Sequence, residues 1–393
     1  MKIAVFSESY KPYISGVTRS IEIFEKELLA LGHEVYIFAP DYPGHKDNNS
    51  RIIRFPSLPT KYPGFRIAVP LSRLIPDLGF DIVHSNSIFQ LGILAMRYAR
   101  KKNIPFVFTF HTMFTEYLHN VPLPRALSVK AVSFLIRSFC NRCARVIVPT
   151  AVTKKYLEGF GVSSPIDVLA SGIDMELAGK ASACGIRKEL GISENSPVLV
   201  YVGRLSKEKN IPFLFEAFKI VLCAFDPVGA YRDTPLLLIV AGGPLEKEYK
   251  QMAEGLGISK NVVFAGQKPY PEVLDYYKAS DLFVFASTTE TQGLVVAEAK
   301  ACGLPAVALD AQGISECIHD GQDGYLVSTA ASGNRDALLK EFSDRILLLL
   351  KDKNLRKAFS LNASKNALAE FSSGVLAKKL ELIYNLVSER RKQ

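Results

Sequence analysis

The feature that most constrains this chain is an alternation of short apolar runs with longer amphipathic ones, repeated in two series. In the first, Lys2–Phe6, Glu34–Ala39, Asp81–His84, Pro105–Phe110, Arg145–Val148 and Ile166–Leu169 read as strands. Gly16–Leu31, Ile88–Lys102 and a stretch from Ala151 read as the helices between them. In the second, strands at Pro197–Val202, Pro235–Ala241, Asn261–Phe264, Asp281–Phe285, Pro305–Leu309 and Asp323–Val327 alternate with helices. These are at Ile211–Ala224, from Leu245, at Tyr270–Lys278 and after Gly293, followed by Arg335–Lys351, Leu355–Phe371 and Val375–Arg390. Strands joined through helices pair in parallel, and a parallel sheet needs helices over both faces. The expectation is α/β: two Rossmann-like doubly wound domains, with Ala170–Ala183 as the linker and ligand bound at strand C-termini in a cleft between them. At 393 residues each half is long enough to bury its own core.

Composition narrows the class. Hydrophobic content of 48% with 22% charge belongs to a folded globular protein, not a disordered one. No run approaches the ~18 apolar residues that span a bilayer, and Met1–Phe6 enters a strand directly instead of a leader. The expected location is cytoplasmic, peripheral on the inner face of the cell membrane. Six cysteines are read as reduced, mostly buried thiols, and Cys140-Asn-Arg-Cys143 has no second pair at metal-ligating spacing. The net charge is +9, and residues 1–176 hold 21 Lys and Arg against 14 Asp and Glu. Tyr117 to Leu157 contains no acidic residue, while Arg125, Lys130, Arg137 and Arg142 interleave there with Leu127, Phe134 and Leu135. A basic amphipathic stretch suits an anionic membrane surface, and an ordinary helix with a solvated basic face is the alternative. The charge also admits nucleic acid, but no nucleic-acid motif accompanies it.

The chemistry concentrates in Ser287–Pro305. Glu290 and Glu298 flank Gly293-Leu294, and if Gly293 opens a helix, the amides of Thr291, Gln292, Gly293, Leu294 and Val295 lie at its positive end. Donors there suit an anion or sugar hydroxyls, and two carboxylates suit polyols at both ends of a phosphate: the outline of a nucleotide sugar. Upstream, Gly203 ends a strand, and Arg204 and Lys209 precede a helix, a pattern fit for a diphosphate clamp. Ser15-Gly16-Val17 opens a helix soon after the first strand without a G-x-G-x-x-G pattern, and it is read either as a phosphate approach or as a βα-turn glycine. His111 follows a strand C-terminus, where a neutral imidazole holds a sugar hydroxyl or serves the fold. Gly266-Gln267-Lys268 is a weaker candidate for a base or phosphate contact. No Asp-x-Asp occurs, so the chemistry is expected to need no metal.

Taken together and in their order along the chain, these motifs resemble the family 4 retaining glycosyltransferases of GT-B fold. The resemblance implies an N-terminal domain over 1–172 that faces acceptor and membrane, a nucleotide-sugar domain over 173–372, and a C-terminal helix within 373–393 returning to the first domain. It assigns Arg204 and Lys209 to the donor diphosphate, Gly16 to phosphate approach, and Glu298 to the ribose. Glu290 and the amides of 292–294 take the hexose, and His111 lies near its 6-position. Where the family commonly has Phe before the glycine, this chain has Gln292. Glu290-Thr-Gln-Gly-Leu294, with Phe110-His-Thr-Met-Phe-Thr-Glu-Tyr117 before a basic helix, looks like the bacterial diacylglycerol glucosyltransferases. That branch implies UDP-glucose as donor and a lipid acceptor with retention; no cofactor is expected, and with no well-placed nucleophile in the sequence front-face transfer is expected rather than a covalent intermediate. A GDP-mannose-dependent mannosyltransferase acting on phosphatidylinositol or a soluble sugar is the enzymatic alternative, and a non-catalytic nucleotide-sugar-binding protein the alternative from another class.

Overall fold

The computed structural model describes residues 1–60, 64–115, 125–225, 233–329 and 334–389, with no side chain described for Arg125 or Ala126. Contacts divide the chain into Met1–Gly172 with Ser373–Gln393, and Ile173–Ser372.

In the first unit, β1 (Lys2–Phe6), α1 (Gly16–Ala30), β2 (Glu34–Pro40) and β3 (Ile52–Phe55) are followed by a small antiparallel pair, β4 (Ser57–Pro59) and β5 (Arg66–Ala68). Then come β6 (Ile82–Ser85), α2 (Gln90–Lys102), β7 (Phe106–Thr109), α3 (Arg125–Cys140), β8 (Arg145–Val148), α4 (Ala151–Gly159) and β9 (Ile166–Val168). The main sheet is parallel throughout, in the order β3-β2-β1-β6-β7-β8-β9. Period-two alternation sorts the strand residues onto its two faces. Ile3, Val5, Val35, Ile37, Ile82, Val107 and Ile147 pack with Ile21 and Leu28 of α1. Leu376, Leu380, Ile383 and Tyr384 of the C-terminal helix (Ser373–Glu389) join that same core. Phe6, Phe38, Val83, Phe106, Phe108, Val146 and Val148 pack on the other side with α2, α3 and α4. Ser373 Oγ donates to Glu27 Oε1 at 2.7 Å and Glu381 Oε1 lies 2.9 Å from His33 Nε2, which fixes the C-terminal helix along α1.

The second unit runs α5 (Met175–Lys180), α6 (Ile186–Glu189), β10 (Val198–Arg204), α7 (Ile211–Phe225), β11 (Leu236–Gly242), α8 (Glu246–Gly255), β12 (Val262–Phe264), α9 (Val273–Lys278) and β13 (Leu282–Phe285). It ends with α10 (Leu294–Ala301), β14 (Ala306–Asp310), β15 (Gly324–Ser328), α11 (Arg335–Lys351) and α12 (Lys353–Phe371). Its sheet is again parallel, ordered β12-β11-β10-β13-β14-β15.

The structure amends the sequence reading in three places. The supposed linker 170–183 contains α5, because Asp174 accepts from the Leu177 amide at 3.0 Å and so caps a helix start. The helix expected from Tyr270 starts at Val273. The Pro/Gly-rich loop after β2 supplies β3 and the β4–β5 hairpin, while Lys61–Pro63 lie outside the described residues, as do Glu116–Pro124 and Arg390.

Candidate functional site

In the second unit the strand order reverses between β10 and β13, so the loops leaving their C-terminal ends diverge and open a crevice. The β10 loop carries Gly203, Arg204 and Lys209; the β13 loop carries Glu290 to Gly293. A Cβ on Gly203 would lie 2.7 Å from Tyr201 Oη, which donates to the Arg204 carbonyl at 2.9 Å. Glycine is thus required for the strand to end against the buried tyrosine. Asn210, at φ +54°, turns the chain from the loop into α7.

The two loops are joined directly. The Lys209 ammonium donates to Glu290 Oε1, and both side chains are only 17% exposed. Ser287 Oγ donates to the Glu208 carbonyl at 3.3 Å. Gly293 follows at φ +84° as the N-terminal cap of α10, so the amides of Thr291 to Val295 run into the first turn of that helix. Glu298, 6% exposed, accepts from Tyr277 Oη at 3.3 Å. The tyrosine orients the carboxylate that the resemblance gives to a ribose.

Behind the loop stands a layer that sequence reasoning did not select. The Gly313 amide donates to the Glu290 carbonyl at 2.9 Å, and a Cβ there would stand 2.2 Å from the Thr291 carbonyl oxygen. Cys317 Sγ donates to the Gln292 carbonyl at 2.8 Å, and the Cys317 carbonyl accepts from Lys300 Nζ at 2.6 Å. Lys300 in turn pairs with Asp323 at 2.8 Å, neither side chain having any exposure. The available signal was a lysine that, apart from Glu298, is alone in breaking a small and apolar helix, Val295-Val-Ala-Glu-Ala-Lys-Ala301. Gln267 is exposed beside Gly242, and Lys268 reaches Glu272 at 3.4 Å and lies over the Tyr276 ring. Those two therefore make contacts of their own, apart from the Lys209–Glu290 pair.

In the first unit the reversal falls between β1 and β6. Ser15 Oγ accepts from the Thr18 amide at 3.1 Å and caps α1; Gly16 is exposed, and a Cβ on it would meet nothing within 4 Å. Val17 instead packs against the core. His111 stands just past β7 with Nε2 2.8 Å from Asn86 Oδ1, so the amide oxygen accepts from an Nε2–H tautomer. Burial lowers its pKa to about 4, leaving a neutral imidazole at pH 7. His84 lies behind it, bonded to Tyr384 Oη at 2.6 Å and Thr109 Oγ1 at 2.7 Å, and burial takes its pKa to about 3. A cavity of about 30 Å³ is lined by both histidines, Asn86, Thr109 and Tyr384. Glu8, 2% exposed just after β1, accepts from the Leu91 amide at 2.6 Å at the start of α2, and burial raises its pKa. Only its place at a strand end marked it in the sequence.

The basic stretch forms α3 from Arg125 onward. Leu127 (60% exposed), Phe134 (63%) and Leu135 (49%) share its outer face with exposed Lys130 and Arg137, and Arg142 is exposed in the turn that follows the helix. Ile136, Phe139 and Cys140 face the core. Burial pushes the Cys140 thiol up to about 12, which keeps it protonated. Among the described residues, no helix is long and apolar enough to cross a membrane.

Residues 14–177 match the family described as Glycosyltransferase Family 4, and residues 185–366 match Glycosyl transferases group 1. The alpha-monoglucosyldiacylglycerol synthase of Streptococcus pneumoniae is 32% identical over 340 residues, covering 83% of this chain and 75% of that protein. Its namesake from Acholeplasma laidlawii is 29% identical over 414 residues, covering 100% of this chain and 99% of that protein. A GDP-mannose-dependent alpha-mannosyltransferase of Mycobacterium tuberculosis is 26% identical over 337 residues, covering 83% and 84%. Among solved structures, sucrose-phosphate synthase from Thermosynechococcus elongatus superposes with a TM-score of 0.80 at 19% identity, covering 98% of this chain and 99% of that one. Anabaena HepE, solved with UDP and glucose, gives 0.74 at 18% identity, with 98% and 99% covered.

Proposed function

Because the chain belongs to the group 1, family 4 glycosyltransferases and has their GT-B fold, we propose that it transfers glucose from UDP-glucose to diacylglycerol at an anionic membrane surface, retaining the anomeric configuration without a metal. The observation that carries the acceptor half is the outer face of α3. Three large apolar side chains stand in solvent there beside Lys130 and Arg137, with Arg142 exposed in the turn that follows. Phosphate headgroups would pair with the cations while the apolar side chains enter the acyl boundary. The names of the two glucosyldiacylglycerol synthases support the same acceptor and sugar.

For the donor half, the contact between Lys209 and Glu290 is informative. The proposal gives the lysine to the diphosphate and the glutamate to the hexose, two groups that meet at the bond to be broken. Their side chains being in contact is what such a ligand requires. Arg204 and Lys209 would hold the diphosphate and stabilise its charge as it departs. The amides at the start of α10 would face the sugar, and Glu298, oriented by Tyr277, the ribose. No carboxylate is assigned as nucleophile. The departing phosphate oxygen takes the proton of the diacylglycerol hydroxyl as that hydroxyl attacks from the same face. Catalysis on this reading is positioning and electrostatics. Neutral His111, held by Asn86, is suited to a sugar hydroxyl and carries no charge to compete with the clamp.

The test is transfer of radiolabelled glucose from UDP-glucose to diacylglycerol in liposomes, with and without phosphatidylglycerol, in EDTA. Expected are an α-linked glucosyl lipid, stimulation by the anionic lipid, and loss of that stimulation in Leu127→Ser with Phe134→Ser. Product from GDP-mannose instead of UDP-glucose would move the chain to the mannosyltransferase reading, and turnover only on a soluble sugar would refute the lipid acceptor.

A further inference from the structure

Gln312 departs from local rules in two ways at once. It lies at φ +48°, in the left-handed region that a residue with a side chain adopts at a cost. Its Oε1 is buried without a hydrogen-bond partner among the described residues. A strained backbone and an unsatisfied buried acceptor on one residue are both unfavourable for folding, and such costs gather where a ligand is held.

Its position says which ligand. Gln312 follows β14, the strand beside β13, and its neighbour Gly313 is pressed against the donor loop. The Gly313 amide bonds the Glu290 carbonyl at 2.9 Å, and the Thr291 carbonyl fills the place of its missing side chain. Consecutive Cα atoms are about 3.8 Å apart, so Gln312 stands one residue from the Glu290–Thr291 backbone. The turn is locked on its other side, where Ser315 Oγ donates to the Gln312 carbonyl at 2.6 Å and the Ile314 amide to Ala311 at 3.1 Å. The conformation is imposed by its surroundings, which place Gln312 next to the residue that holds the segment assigned to the hexose.

We infer that Gln312 is a donor-specificity residue, whose side-chain amide oxygen accepts a hydrogen bond from a hydroxyl of the transferred hexose. A neutral amide suits this place. It offers a directed acceptor without setting a further carboxylate beside Glu290 and a diphosphate. The inference rests on the nucleotide-sugar reading of the Glu290 loop.

Gln312→Gly separates this role from a structural one. Glycine adopts φ +48° freely and removes the unsatisfied oxygen, so a residue kept for the sugar yields a variant at least as thermostable as the parent. Calorimetric titration with UDP and UDP-glucose, and with GDP and GDP-mannose, gives the second readout. Expected are a dissociation constant for the free nucleotide within about twofold of the parent's and one for the sugar nucleotide about tenfold weaker, the loss of about one hydrogen bond. Gln312→Asn, with its shorter arm, should behave alike. Unchanged sugar-nucleotide affinity would overturn the inference while leaving the donor reading intact. A lowered melting temperature with equal losses for nucleotide and sugar nucleotide would make Gln312 a scaffold residue and likewise overturn it. Failure of the parent protein to bind either pair would overturn the nucleotide-sugar reading, and the inference with it.

Discussion

The Lys300–Asp323 pair offers a direct test of how α10 is held. Both side chains are fully excluded from solvent and 2.8 Å apart. Lys300 also donates to the Cys317 carbonyl at 2.6 Å, and Asp323 accepts from Asn366 Nδ2 at 2.7 Å and the His319 amide at 2.9 Å. Lys300→Met keeps an unbranched chain of similar length but strands a buried carboxylate with only neutral donors. Breaking a buried pair from one side costs about 3–5 kcal/mol, because the remaining charge has lost both its partner and its water. In a unit spanning residues 173 to 372, that is a fall of about 6–20 °C in melting temperature. Asp323→Asn added to Lys300→Met removes the stranded charge and should recover most of the loss. An exposed pair gives the contrast: Lys180 and Glu176 are 67% and 69% exposed, and Lys180→Ala should cost less than about 1 kcal/mol. Scanning calorimetry of the parent, both single variants and the double variant gives the coupling. A loss below about 1 kcal/mol for Lys300→Met, or no recovery in the double variant, would refute the argument.

Four further outcomes follow from the geometry. Lys209→Ala should lower kcat by about 10²–10³-fold, the usual effect of removing one stabiliser of developing charge, measured at saturating donor; near-parental turnover would remove Lys209 from the clamp. Glu298→Ala should raise the donor KM at least tenfold with a smaller change in kcat, since a charged hydrogen bond contributes about 1.5–3 kcal/mol. His84 is depressed to about 3 from 6.5, so its contribution to stability is complete above pH 6.5 and is lost as pH falls toward 3. By pH 5 that loss is about 2 kcal/mol, and His84→Gln should flatten the parent's fall in unfolding free energy between pH 7.5 and 5 by that amount. Glu8 works in the opposite sense: its raised pKa makes its contribution complete below 4.5 and lost as pH rises, so Glu8→Gln should gain melting temperature relative to the parent at pH 8 and not at pH 4.

What was legible in the sequence divides along a physical line. The two parallel sheets were readable because strands buried on both faces are written as continuous apolar runs, and those runs keep their meaning in isolation. The helix start after Gly293 was readable for a similar reason: Gly293 at φ +84° between Glu290 and Glu298 is a local arrangement, set by the backbone freedom of one residue. The edge strand β3 and the β4–β5 hairpin were missed because short edge strands carry little hydrophobic pattern of their own. The layer behind the loop was illegible for a deeper reason. Gly313 meets Thr291, Cys317 meets Gln292 and Lys300 meets Asp323 only after β13, β14 and β15 pair side by side and bring segments distant in sequence into contact. A buried lysine or an ill-placed glutamine looks like an exception in sequence, because the partner that justifies it is supplied by the topology. Gln312, left-handed and with its buried oxygen unsatisfied, is such an exception, and its neighbour Gly313 is bonded to the Glu290 carbonyl. Not every such exception adjoins that loop: Asn103 is left-handed at the end of α2, where it closes a helix. What separates Gln312 is that both departures fall on one residue, and this is the ground for the inference about the donor sugar.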